Sequence, residues 1–142
     1  MSPETDPLVA ELAHLLSQVA GRQGAQFNAT AAELGLTPAQ ALAMVGLEAP
    51  VTMRDLAAGL SCEPSNVTGI IDALERRGLV TRQPDPADRR VKRLVLTEEG
   101  VRRREALCSR THTQAASLFA PLGGDRLVLR DLLRRVLLDS AS

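Results

Sequence analysis

Basic side chains are concentrated in one segment of a chain whose net charge is zero. The 142 residues contain 17 Lys and Arg against 17 Asp and Glu. Residues 76–110 hold eleven of the cations and five of the acids, a local charge of +6, whereas residues 1–75 sum to −7. Such a block is typical of a surface that binds a polyanion, but also of a solvated helix surface with many ion pairs. The choice between the two depends on the structure that the block forms.

Side chains that could support other chemistry are few. Cys62 and Cys108 cannot build a disulfide framework, and together with His14 and His112 they lack the spacing of metal ligands. The sequence contains no GxSxG motif, phosphate-binding loop, HExxH motif or dinucleotide fingerprint. We therefore expect no enzyme activity, no metal site and no cofactor. The aromatic residues are two Phe, which disfavours the base-stacking surface of a single-strand binder.

Hydrophobic periodicity places the basic block within a mostly helical chain. Val67, Ile70, Ile71 and Leu74 recur at helical spacing, so a helix with one buried face is predicted over 63–77. By the same pattern and by capping residues, further helices are predicted at 7–20, 38–47, 53–59, 98–119 and 125–139. Residues 21–36 are weakly patterned, and we expect irregular helix and loop there.

Two β-strands are predicted between the helices at 63–77 and 98–119. Residues 79–82 and 91–96 have strand character, and the turn-forming residues 84–88 between them predict a hairpin with a long, charged tip. Two short helices joined by a tight turn and followed by this hairpin make a winged helix-turn-helix. The predicted fold class is therefore mainly α with a small β-hairpin wing, flanked by N- and C-terminal dimerisation helices.

The helices at both ends have broad apolar faces, which a chain of this length can bury only in part. A second copy would cover them, so a homodimer is predicted. We divide the chain into an N-terminal dimerisation segment (1–36), the winged helix-turn-helix (37–100) and C-terminal dimerisation helices (101–142). No apolar run approaches the roughly 20 residues of a membrane span, and the N-terminus lacks a basic signal-peptide region. We expect a cytoplasmic protein without membrane contact.

Five motifs resemble those of the MarR family of bacterial transcription regulators. They are LTPAQ (36–40), MRDLAAGL (53–60), EPSNVTGIIDALERRGLV (63–80), DPADRR (85–90) and KRLVLTEEG (92–100). Their combined spacing makes the resemblance specific. It implies a regulator that binds double-stranded DNA, more commonly as a repressor, on an inverted-repeat operator and as a homodimer. It also implies release from DNA by a small anionic or phenolic ligand.

The resemblance places the helix at 63–77 in the major groove of DNA. The outward side of its N-terminal half is formed by Ser65, Asn66, Thr68 and Gly69, which are the expected base or phosphate contacts. For Ser65 the alternative is that it only helps the helix to start. Gly69 departs from the family pattern, which often has a basic residue at this position.

The basic residues are expected to bind phosphates and the minor groove. By its place in the DPADRR motif, Arg90 would enter the minor groove, with its guanidinium oriented by Asp88. The alternative is that Asp88 and Arg90 only stabilise the turn. Helix-surface ion pairs such as Asp72–Arg76 are the alternative for the helix arginines. The expected phosphate contacts are Arg54, Arg76, Arg77, Arg82, Arg89 and Lys92.

Ligand and redox sites are less well defined by the sequence. Weak candidates for lining a ligand pocket are His14, Arg22, Phe27 and Met44, residue types that more often serve packing or the surface. Cys62 precedes the predicted recognition helix, whose dipole favours a thiolate, so a thiol-based redox-responsive regulator is one alternative function. A winged helix used only as a protein-interaction module is the other.

Overall fold

The structure, a computed structural model, describes residues 5–60 and 63–140. In this part of the chain the helices are α1 (Pro7–Glu33), α2 (Pro38–Val45), α3 (Met53–Leu60), α4 (Pro64–Arg76), α5 (Glu98–Phe119) and α6 (Asp125–Ser140). The strands are β1 (Val51–Thr52), β2 (Val80–Pro84) and β3 (Lys92–Leu96), and a 3-10 turn spans Ala120–Leu122. None of these described helices is long and apolar enough to cross a membrane. The winged helix-turn-helix predicted from the sequence is confirmed.

The chain forms two compact units, one ending at Thr111 and the other beginning at His112. The core of the first unit is aliphatic and is centred on α4. Val67, Ile71 and Leu74 are fully buried and Ile70 packs beside them, as the periodicity predicts. The same cluster includes buried residues from α1, α2, α3, both wing strands and α5. Burial of one face of α4 therefore fixes which face remains outside.

Helix α1 differs most from the sequence prediction. It continues as one helix through the segment that was expected to be irregular and ends just before Gly35, whose φ of +72° suits a residue without a side chain. Only Thr30 and Ala31 are buried in α1. The segment that the sequence prediction missed therefore has no core-facing stripe from which a helix could be predicted. Its end is fixed instead by Arg103 of α5, which donates to the C-cap carbonyl of α1 at 3.2 Å.

Helix α2 is shorter than predicted and packs on the core mainly through small side chains. It ends at Val45 rather than at residue 47. Of its larger apolar residues, Met44 is buried, but Leu42 and Val45 are 50% and 37% exposed. The small side chains of Ala41 and Ala43 are buried in their place, which lets α2 approach its neighbours closely.

The wing belongs to a three-stranded antiparallel sheet rather than to a two-stranded hairpin. The strand order is β1-β3-β2, with Val51 of β1 opposite Leu94 of β3, and β2 pairing β3 from Val80–Leu96 to Pro84–Lys92. The sequence prediction missed β1 because a strand of two residues is too short to show an alternating pattern.

The wing is joined to the start of α5 by a close backbone contact. The Thr97 amide donates to the Leu79 carbonyl at 3.1 Å, and the Thr97 hydroxyl donates to the Gly78 carbonyl at 2.6 Å and accepts from the Gly100 amide at 3.1 Å. A Cβ atom on Gly100 would lie 2.1 Å from the Leu79 carbonyl oxygen, so only glycine fits. This contact sets where α5 leaves the wing.

We predict that Gly100→Ala destabilises the protein by about 1–3 kcal/mol, because the strand backbone and the helix must move apart. Thermal unfolding followed by circular dichroism measures this as a fall of several degrees in the midpoint. Gly59→Ala is the matched control, because Gly59 lies in α3 with no atom within 4 Å of an added Cβ. An unchanged midpoint for Gly100→Ala would contradict the contact.

Candidate nucleic-acid interface

The N-terminal half of α4 presents a small polar surface. Ser65, Asn66, Thr68 and Gly69 are all exposed, on the sides of the helix that the core leaves free. An added Cβ at Gly69 would meet no atom within 4 Å, so nothing within this chain requires glycine there. A surface of short hydroxyl and amide side chains on an exposed helix is of the size and polarity that fit base edges in a major groove.

The tip of the wing is ordered by one carboxylate. The Asp85 amide donates to the Val91 carbonyl at 2.8 Å, while its side-chain Oδ1 accepts from the Ala87 amide at 2.7 Å. Its Oδ2 accepts from Arg93 Nε at 2.9 Å, and the Asp85 side chain is only 16% exposed. The Ala87 amide and the Arg93 guanidinium lower the pKa of Asp85 below its ordinary value of 3.8. The loop is thus held in one conformation by an ionised group.

Asp88 acts on the backbone of the tip and not on the side chain expected from the sequence. Its Oδ1 accepts from the Arg90 backbone amide at 3.1 Å, and its carbonyl accepts from the Val91 amide at 3.0 Å. Within the described residues, no contact joins the Asp88 carboxylate to the Arg90 guanidinium. Without DNA, Asp88 therefore stabilises the turn, and its orientation of the Arg90 guanidinium on DNA stays a prediction.

Most of the basic block is occupied by contacts within the protein. Seven of its eleven cations donate to carboxylates, carbonyls or a side-chain amide: Arg77, Arg82, Arg93, Arg102, Arg103, Arg104 and Arg110. Among residues 5–60 and 63–140, the other four have no side-chain partner: Arg76, Arg89, Arg90 and Lys92. Arg54 of α3, outside the block, is likewise exposed and without a partner in the described chain. The free cations of the block thus lie at the end of α4 and on the wing. Elsewhere in the described chain, Arg22 of α1 and Arg134 and Arg135 of α6 are exposed in the same way.

Two arginines that the sequence assigned to phosphates have partners within the protein. Arg77 donates to Gln40 Oε1 at 3.0 Å, beside the capping box that begins α2. Arg82 donates to Asp72, and within the described residues Asp72 pairs with Arg82 and not with Arg76. Periodicity could not reveal these partners, because Arg77 and Gln40 lie 37 positions apart.

The four candidate ligand residues differ in their surroundings. Met44 is fully buried in the core and Phe27 packs against it, while His14 and Arg22 are exposed on α1. A cavity of about 270 Å³ lies elsewhere, lined by Leu47, Glu48, Ala49, Pro50, Val95, Leu96, Val101, Arg104 and Glu105. Its one cation, Arg104, already donates to the carbonyls that end α2 at 3.1 Å each. The lining therefore contains no arginine free to bind an anion.

The described residues contain one free thiol and no cluster of metal ligands. Cys62, the candidate redox residue, lies outside the described residues. Cys108 is a free, half-buried thiol in α5. No group of three His, Cys, Asp or Glu side chains in the described ranges is arranged to hold a metal ion.

We predict that acid loosens the wing tip through Asp85. Because the pKa of Asp85 is lowered, its ionised carboxylate stabilises the tip at pH values above the ordinary pKa. This stabilisation is lost as the pH falls through the lowered pKa. The amide signal of Ala87 in two-dimensional NMR should therefore titrate with a midpoint below 3.8, while circular dichroism shows the helices intact. Asp85→Asn should abolish this titration, and a wild-type midpoint at or above 3.8 would contradict the assignment.

Comparisons with known proteins agree with this arrangement. The MarR family profile matches residues 36–92. The transcriptional repressor NicR of Pseudomonas putida, described as HTH-type, is 29% identical over 131 residues, which cover 89% of this chain and 82% of NicR.

Two solved structures share the fold along almost the whole chain. CouR from Rhodococcus jostii, bound to p-coumaroyl-CoA, is 31% identical with a TM-score of 0.76, covering 93% of this chain and 95% of CouR. A cysteine mutant of MarR from E. coli, complexed with operator DNA, is 25% identical with a TM-score of 0.73, covering 94% and 99% of the two chains. The chain therefore belongs to the MarR family of DNA-binding transcriptional regulators.

Proposed function

We propose that this protein is a homodimeric repressor that binds an inverted-repeat operator in double-stranded DNA and releases it when a small ligand binds. One observation carries the proposal: within the basic block, the cations without a partner in the described protein lie at the end of α4 and on the wing. The alternative, a solvated helix surface with many ion pairs, describes α5 and not the wing. In α5, Arg102, Arg103, Arg104 and Arg110 are all bound.

The proposed docking places α4 in the major groove and the wing tip in the adjacent minor groove. Asn66 offers an amide that can pair with an adenine edge, and Ser65 and Thr68 offer hydroxyls. Arg90 is exposed at the end of a turn that Asp85 and Asp88 hold in place, so little order has to be gained when it enters a groove. Arg54, Arg76, Arg89 and Lys92 are the proposed phosphate contacts, Gly69 lies beside the bases, and Arg77 and Arg82 are not proposed as contacts.

The homodimer is supported by two exposed apolar faces. In α1, Leu8, Leu12, Leu15, Leu16 and Val19 are 40–61% exposed. In α6, no described residue is buried, and seven Leu and Val side chains are 41–72% exposed. Rows of exposed apolar side chains on a helix mark an association site. A two-fold dimer would present two α4 helices to half-sites about 34–36 Å apart, which is why the operator should be an inverted repeat.

Release by a small organic ligand is the third part of the proposal. The structure of CouR contains p-coumaroyl-CoA, which supports the proposal that the present protein also binds a small molecule. The cavity beside α5 touches both the segment before β1 and strand β3, so an occupant would contact a wing strand. Adding phenolic acids and their CoA thioesters to the operator complex tests this part: liberation of free DNA supports it, and an unchanged complex with every compound contradicts it.

We predict that Arg90→Ala weakens operator binding roughly ten-fold or more, because a groove contact is typically worth about 1–3 kcal/mol. The melting temperature should not change, since Arg90 has no side-chain partner to lose. The measurement is fluorescence anisotropy on the DNA upstream of the gene itself, at several salt concentrations.

Arg102→Ala is the matched control for Arg90→Ala, because it removes an equal charge that Glu99 already offsets at 2.6 Å. It should leave affinity nearly unchanged. Equal losses for both variants would mean that only net charge matters, and the wing assignment would fail. If the wild-type protein shifted no upstream DNA at all, the alternative of a protein-interaction module would be favoured.

We predict that Leu12→Asp converts the dimer to a monomer, because it places a charge in the apolar face of α1. Light scattering after size-exclusion chromatography should show half the mass, and operator affinity should fall with it. Val91→Asp is the control: Val91 is 37% exposed at the wing and should leave the mass unchanged. A Leu12→Asp protein that keeps its dimeric mass would exclude α1 from the interface.

A further inference from the structure

Arg82 joins the wing to the recognition helix. It lies in β2, and its guanidinium donates to the Asp72 carboxylate and approaches Glu75 Oε2 at 3.8 Å through Nε. Asp72 and Glu75 are three residues apart on α4, and Asp72 is next to buried Ile71. One cation of the wing is thus held by two anions on the same side of the helix, so its charge is already offset.

Apart from the pairing of β1 with β3, which reaches Arg93, the outer wing has few contacts that fix its direction. Val80 anchors the base of β2 in the core, but the remaining residues of β2 are exposed. Arg82 is opposite Leu94, which is fully buried. Beyond this pair, no described residue of the hairpin, from 83 to 93, is buried. Arg82 therefore ties the hairpin to α4 at the last position where the core still supports it.

We propose that Arg82 is a positioning residue that holds the wing at a fixed angle to α4, so that the helix and Arg90 reach adjacent grooves together. The proposal rests on the proposed DNA-binding function, and it replaces the phosphate contact that the sequence suggested for Arg82. Because the wing tip lies beyond the tie, a small rotation at Arg82 becomes a larger displacement of Arg90. Asp72 and Glu75 serve DNA binding through this tie although they are negatively charged.

The sign of one mutational effect separates a positioning role from a phosphate contact. If Arg82 bound phosphate, the double variant Asp72→Asn with Glu75→Gln would free it and remove two negative charges, and operator affinity would rise. If Arg82 positions the wing, the same variant frees the hairpin, and we expect affinity to fall roughly ten-fold, the size of a lost groove contact. Glu63→Gln calibrates the effect of charge alone, because Glu63 caps α4 by position without a side-chain hydrogen bond.

Arg82→Met completes a double-mutant cycle. It should weaken binding in the wild-type background and change little in the background that lacks both carboxylates. The salt dependence of affinity should fall by less than the roughly one unit per lost phosphate contact. Where Arg82→Met unfolds, Arg82→Lys takes its place: it keeps the charge but cannot bridge both carboxylates, so affinity falls with an unchanged salt dependence.

Footprinting distinguishes a lost angle from a damaged fold. Dimethyl sulfate reports protection of guanine N7 by α4 in the major groove, and hydroxyl radicals report the minor groove under the wing. At protein concentrations that saturate the DNA, Arg82→Met should retain the first protection and lose the second. Loss of both together, or a rise in affinity without the two carboxylates, overturns the proposal. Failure of the wild-type protein to bind operator DNA instead overturns the proposed function itself.

Discussion

Two adjacent arginines of α5 hold the ends of two other helices, and the arrangement of the winged helix-turn-helix depends on them. Arg103 donates to the carbonyl that caps α1, and Arg104 donates to the carbonyls of Met44 and Val45 that end α2. The C-terminal carbonyls of a helix lack intrahelical partners and carry partial negative charge, so a guanidinium satisfies both needs. Because Gly100 also packs against the Leu79 carbonyl, α5 contacts α1, α2 and the wing and thus sets the positions of all three.

This structural use of arginine changes the meaning of the charge distribution. The positive segment would seem to be one binding face if its residues were only counted. In the structure it consists of two populations, one that ties helices together and one that stays open to an external anion. A neutral chain can therefore present a local cationic surface, because its acidic side chains form ion pairs with other arginines. Glu99 pairs with Arg102 and Arg103, and Glu33 pairs with Arg110.

Local interactions explain what the sequence could predict. The apolar stripe of α4 and the hairpin could be predicted because their sequence signals come from residues that are close together in the chain. Capping by Thr37 and Thr52 is equally local. The continuation of α1 and the existence of β1 depend on partners far along the chain, which no periodicity contains. The same holds for the site: exposure of the α4 face follows from its buried face, but which arginines remain free follows from tertiary pairing.

The wing shows why these internal pairings matter for recognition. A flexible arginine-rich loop would also attract DNA, but it would lose conformational entropy on entering a groove, and that loss would subtract from affinity. Here Asp85 and Asp88 fix the loop before any DNA is present, and Arg82 fixes the hairpin against α4. The acidic side chains of the wing repel phosphates at long range, yet they hold the free cations in positions where they can enter a groove. Preorganisation thus offsets a charge that simple electrostatics would count as unfavourable.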